Sequence, residues 1–137
     1  MGERLCYNLR TQLKPEVEAE DMPFQSKYLF TASMDIEPDK EAVFNEVYDK
    51  EHIPTLLKVP GVLSIARFKT RELTMIMAGE RRTIVVEGEP RYSAMYELES
   101  PDVLTSDGWA AAVDQGRWPG EVRPFTKNRR HVLRERI

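Results

Sequence analysis

The chain has 137 residues, of which 41% are hydrophobic and 31% charged, with 20 basic against 23 acidic side chains and a formal net charge of -3. That size and apolar fraction fit one compact, cored domain and argue against a disordered chain. The mild acidity lacks the basic field of a general nucleic-acid binder, and no apolar run approaches the ~18–20 residues of a membrane span. No secretory leader is visible in Met1-Gly2-Glu3-Arg4-Leu5-Cys6. One cysteine, Cys6, excludes an internal disulfide and a multi-cysteine zinc site. A soluble cytoplasmic protein is expected.

Residues 1–26 read as an N-terminal arm, acidic and punctuated by Pro15 and Pro23, with room for a short edge strand. The domain proper spans 27–137. In Tyr28 to Ile36 every even position is apolar, the period of a half-buried strand. Pro38 and Asp39 then open a helix with an apolar stripe of Ala42, Val43, Phe44, Val47 and Tyr48. Pro54 should end or kink that helix near His52, and Val59-Pro60-Gly61 stops it.

Val62 to Arg71 reads as a second strand, with Val62, Ser64, Ala66 and Phe68 on one face and Leu63, Ile65 and Arg67 on the other. Residues 74–77 and 82–86 suggest a hairpin across Ala78-Gly79-Glu80. Arg91 to Leu98 is a core strand, with Tyr92 and Tyr96 on its helix-packed face. Ser100 and Pro101 open a second helix that carries Val103, Leu104, Trp109, Ala110 and Val113 and stops by Gly116. A loop through Trp118 leads to a last strand over 128–137. The order is βαββαβ with an extra hairpin, a ferredoxin-like α+β sandwich with both helices on one face of the sheet. The bare face would carry Leu29, Leu63, Ile65, Met95 and Val132, and covering it is worth several kcal/mol at roughly 25 cal/mol per Å2. A second copy of the same sheet is the simplest cover, so a homodimer is expected.

Val47-Tyr48-Asp49-Lys50-Glu51-His52-Ile53-Pro54, then Leu57, Val59-Pro60-Gly61-Val62 and Arg67-Phe68, resembles the first half of dimeric α+β barrel proteins, nearest to the EthD-like branch. The resemblance implies that fold and a two-fold dimer. It also brings a range of activities, among them monooxygenases, isomerases, cyclases and haem-degrading enzymes, so it does not fix a function.

His52 is the first candidate for chemistry. At a helix C-terminus the dipole favours a protonated imidazole, suited to moving protons near neutral pH, and Asp49 three residues back can orient it. The structural alternative is a capping histidine. His131, on the last strand beside Arg129, is either a surface histidine or a ligand contact. Arg67 either stabilises developing negative charge or is an edge arginine reaching water. Thr31, Ser33 and Glu97 share Arg67's expected face and offer polar contacts. Trp118 either covers a cavity mouth or anchors its loop. Two histidines without metal-ligand spacing give no ground for expecting a metal site, and no phosphate-binding glycine loop occurs.

The leading expectation is a small hydrophobic or aromatic molecule bound in a cavity of each subunit. If the protein is an enzyme, the resemblance implies cofactor-independent isomerisation, cyclisation or oxygenation, with His52 moving the proton, Asp49 orienting it and Arg67 holding charge. Thr31, Ser33, Trp118 and His131 would contact the substrate. The alternative is a non-catalytic ligand-binding or assembly module. An RNA-binding sheet would need exposed aromatics on the open face, where aliphatics are expected instead.

Overall fold

The computed structural model of the chain describes residues 6–9, 12–13 and 24–137. The expected acidic segment around Pro15 and Pro23 lies outside the described residues. Strands β1 (Cys6–Leu9) and β2 (Gln12–Leu13) pair antiparallel with each other.

The main sheet is antiparallel and four-stranded. It consists of β3 (Tyr28–Ile36), β4 (Val62–Lys69), β7 (Tyr92–Leu98) and β8 (Thr126–Glu135), in the spatial order β4-β7-β3-β8. That order, with a helical connection after β3 and another after β7, is the ferredoxin-like arrangement. The period-two reading of β3 holds: Ala32, Met34 and Ile36 are buried, with Phe30 packed against them. They meet Tyr92, Ala94, Tyr96 and Leu98 of β7 and a helix layer led by Phe44, Val47, Tyr48 and Leu56.

Two bulges set which side chains reach which face. In β4 the register shifts between Val62, opposite Leu98, and Ser64, opposite Glu97. The extra residue is Leu63. It reverses the expected alternation, so Ile65 and Arg67 stand on the helix side and Ser64, Ala66 and Phe68 on the open side. The expected bare face is corrected accordingly. Ile65 packs against the core, and β4 contributes Ala66 and Phe68 beside Leu29, Met95 and Val132. Phe68 remains 51% exposed and Val132 39% exposed. In β8 the register shifts where Met34 of β3 faces Asn128 and Arg129 together.

The first helical segment departs from a simple kinked helix. After α1 (Glu41–Val47) the chain widens into a π-type turn over Tyr48–His52, then tightens into α2 (Ile53–Leu56), with Pro54 in its first turn. The wide turn precedes a residue that has no N–H to give, and it lets the helical path continue where Pro54 would otherwise break it. Gly61 then reverses the chain with φ +93°; a Cβ there would lie 2.4 Å from Val103 Cγ2, so only glycine fits.

The expected hairpin is present as β5 (Leu73–Met77) and β6 (Glu80–Ile84), joined through Ala78 and Gly79 at positive φ. Its Leu73, Met75, Ile76 and Met77 are all exposed.

The second helix is split. A 3-10 segment (Pro101–Thr105) capped by Ser100 gives way at Ser106, which is extended and accepts from the Trp109 N–H as the cap of α3 (Asp107–Ala112). The new start rephases the buried face, so Ala112 is buried and Ala110 exposed, the reverse of a continuous helix. Beyond it, Trp118–Val122 forms a second π-type turn and Arg123–Phe125 a 3-10 turn leading into β8.

Candidate functional site

The π-type turn is where the site begins. It aims Tyr48 and His52 from the helix layer toward the sheet, and both are buried. The loop after α3 returns across the same turn. Arg117 holds it there, donating from its backbone N–H to Glu51 Oε1 at 3.1 Å and from Nε to Glu51 Oε2 at 2.6 Å, with Nη2 3.1 Å from Glu46 Oε2. Gly116, at φ +66°, gives Glu51 room: a Cβ would come within 2.6 Å of Glu51 Oε1. This clamp delivers Trp118 onto His52. The two rings stack with centroids 4.0 Å apart and planes 10° apart, and Tyr48 meets Trp118 edge-on at 5.0 Å.

Beside the stack, between the helix layer and β3–β8, is a cleft of about 180 Å3. His52, Trp118, Tyr48 and Tyr96 line it together with Trp109 and His131. The Tyr48 and Tyr96 hydroxyls lie 3.3 Å apart, and burial raises both phenol pKa values. Phe30 stacks on His131 at 5.8 Å and meets Trp109 edge-on at 5.9 Å. Both tryptophans of the chain therefore wall one cleft.

His52 is only 6% exposed, and its Nδ1 has no hydrogen-bond partner among the described residues. Its pKa is lowered to about 4, first by burial and then by the charge of Arg123. This corrects the expected helix-end protonation. The helical path runs on to Leu56, so His52 is inside it, and desolvation governs its charge. The imidazole is neutral at pH 7. The His131 pKa is lowered too, by burial and then by Arg129.

The expected site residues fall into three places. His52, Trp118 and His131 come together at the cleft. Asp49 and Arg67 meet each other instead, with Arg67 Nη1 2.9 Å from Asp49 Oδ1, while Arg67 Nη2 donates to Asn45 Oδ1 at 2.7 Å. The Arg67 guanidinium also lies over the Tyr48 ring at 4.5 Å. Asp49 does not hydrogen-bond the buried Nδ1 of His52. The bulge at Leu63 explains the placement of Arg67, since it turns that side chain away from the open face and onto α1. Thr31 and Ser33 stand on the open face, across the sheet from the cleft, where Ser33 Oγ pairs with Ser93 Oγ at 2.7 Å. Glu97, also on that side, accepts from Ser64 Oγ at 2.9 Å.

Sequence reasoning missed Tyr48, Tyr96, Trp109, Arg123 and Arg129 as cleft residues. Strand parity places Tyr96 in the core and the helical stripe includes Tyr48, and both are buried, but a core face and a cleft wall look alike in a period. Among the described residues no group of histidine, cysteine and acidic side chains converges on a metal site, and no helix is long and apolar enough to cross a membrane.

No protein-family model matches the chain, and no curated protein matches it in sequence. Solved structures do match in fold. Two are of MhuD, the heme-degrader of Mycobacterium tuberculosis. One, with two hemes bound in its active site, has TM-score 0.53 and 13% identity over 80% of this chain and 95% of that one. The other, a variant with two manganese protoporphyrin IX molecules per active site, has TM-score 0.54 and 13% identity over 80% and 94%. An EthD family protein of Bacillus halodurans gives TM-score 0.49 at 13% identity over 80% and 99%.

Proposed function

We propose that the chain, which has a ferredoxin-like α+β fold, binds a small hydrophobic or aromatic compound in the cleft beneath the His52–Trp118 stack, as a homodimer with one cleft per subunit. The observation that carries this reading is the cleft wall itself: two tryptophans, two tyrosines and a neutral buried imidazole around about 180 Å3. Aromatic walls with a few polar groups are the usual make-up of small-molecule sites. The volume lies below the ~300–1,000 Å3 range of drug-sized ligands, which suits one or two rings. That a protein of the same fold holds planar porphyrins in its active site is consistent with a ring ligand here.

The homodimer rests on exposed apolar surface. The open face offers Phe68 and Val132, and the hairpin offers Leu73, Met75, Ile76 and Met77. A two-stranded hairpin without further contacts is marginal in water, so a second copy would stabilise it as well as cover the sheet.

Isothermal titration calorimetry with 2-naphthol, with tryptophan emission as a second readout, tests the ligand reading. Saturable heat with a parallel change in emission supports it. No saturable response at millimolar 2-naphthol contradicts it.

A second reading makes the cleft catalytic, and the unpartnered Nδ1 of His52 favours it. That nitrogen would take a proton from a bound ring compound in a cofactor-independent isomerisation, cyclisation or oxygenation. A pKa near 4 makes His52 a weak base in the empty cleft. Proton abstraction would therefore need the ligand itself to stabilise the imidazolium. His52→Gln abolishing turnover of a bound compound, while leaving its affinity within a few-fold, would favour catalysis over binding alone.

A further inference from the structure

Resting on the ligand-binding reading above, we infer that the cleft selects an aromatic carboxylate and that Arg129 receives its anionic group.

The bulge in β8 supplies the geometry. Thr126 pairs with Ile36, and an unbroken strand from that point would send Arg129 to the open face. The extra residue at Asn128 reverses the alternation, so Thr126, Arg129 and His131 all line the cleft. The bulge is firmly held. Asn128 has φ +54°, and its Nδ2 donates to Asp35 Oδ2 at 3.1 Å and to the Gly88 carbonyl at 2.8 Å. Bulges next to binding sites commonly re-aim a side chain in this way.

The charge inventory supplies the ligand's sign. Among the described residues no carboxylate lines the cleft, while two arginines do. Arg123 is already engaged, its Nη2 donating to the Val113 carbonyl at 2.5 Å and to Asp114 Oδ1 at 2.8 Å. The basic neighbours of Arg129 on β8 are answered as well: Lys127 by Glu37 at 3.5 Å and Arg130 by Glu89 at 3.9 Å. Arg129 has no carboxylate partner among the described residues. Both histidines at the cleft have lowered pKa values, so neither adds a competing need for an acid. A guanidinium beside aromatic walls matches a planar carboxylate on a ring, which it can hold through two parallel hydrogen bonds.

Calorimetric titrations of the full chain with 2-naphthoate, 2-naphthamide and 2-naphthylmethylammonium test the inference. The three probes share a ring system and differ in charge. The expected result is that 2-naphthoate binds at least tenfold tighter than the amide at low salt, that the ammonium binds weakest, and that the advantage shrinks as ionic strength rises. Arg129→Gln should remove the advantage of the acid over the amide and leave the urea midpoint unmoved. An amide that binds as well as the acid, or an acid preference that survives Arg129→Gln, would overturn the anion selection alone. Failure of all three probes and of 2-naphthol would overturn the underlying cleft reading, and the inference with it.

Discussion

The His52 imidazole and the Trp118 indole lie face to face, 4.0 Å between centroids and 10° from parallel, though 66 residues separate the Glu51–Arg117 clamp that brings them together. Stacking on an indole buries the imidazole and keeps it neutral. One contact thus links loop placement, side-chain charge and the wall of the cleft.

Acid should therefore weaken the fold through His52. Its folded pKa of about 4 lies below the ordinary histidine value of 6.5, so between those limits the unfolded chain binds more protons. Stability is retained above pH 6.5 and declines as pH falls toward 4. At about 1.4 kcal/mol per unit, the full loss is of order 3 kcal/mol. Urea midpoints across this range should fall less steeply in His52→Phe than in the wild type. Equal slopes would show that His52 titrates normally.

Gly116 should be intolerant of a side chain for two separable reasons. Alanine would occupy a left-handed φ of +66°, and its Cβ would press on Glu51 Oε1 at 2.6 Å. Gly116→Ala is expected to cost about 1–3 kcal/mol, read from urea unfolding. In a Glu51→Ala background the second substitution should cost less, because only the backbone strain remains. Strict additivity of the two would place Glu51 away from that Cβ.

Asn128 should be worth more than its exposed position suggests. Asn128→Ala loses two amide hydrogen bonds and puts alanine at φ +54°, an expected loss of about 1–3 kcal/mol. Asn128→Gly keeps the backbone conformation and should fall between the two. If alanine and glycine variants unfold at the same urea concentration, the left-handed conformation carries no cost.

The open face should hold two copies together. Sedimentation of the wild type at micromolar concentration is expected to give a dimer, and Val132→Glu or Phe68→Glu a folded monomer. Both side chains are partly exposed in a single copy, so these substitutions should change monomer stability by no more than about 0.5 kcal/mol. A monomeric wild type would contradict the covered-face account.

Periodicity carried the fold a long way. The strand at 28–36, the hairpin through Gly79 and the order of the four main strands follow from alternation and turn residues alone. What alternation cannot contain is an extra residue. Leu63 and Asn128 each insert one, and each reverses every side chain after it. Arg67 was expected with Thr31 and Ser33, yet it packs on α1 with Asn45 and Asp49. Neither bulge carries glycine, the residue that most often marks one in sequence. His52 lines the cleft, but not for the reason its sequence position suggests, because its helix does not end there. Trp118 reaches it through a clamp between Arg117 and two glutamates distant in sequence, and no local pattern encodes that contact.

The most direct test of the cleft is nitrogen-detected NMR of the His52 imidazole and the Trp109 and Trp118 indoles during titration with 2-naphthol. The account predicts saturable shifts of all three side chains with one common affinity, and a neutral His52 ring at pH 7 before any is added. Shifts confined to open-face residues such as Ala66 and Met95, with the three rings unmoved, would contradict it.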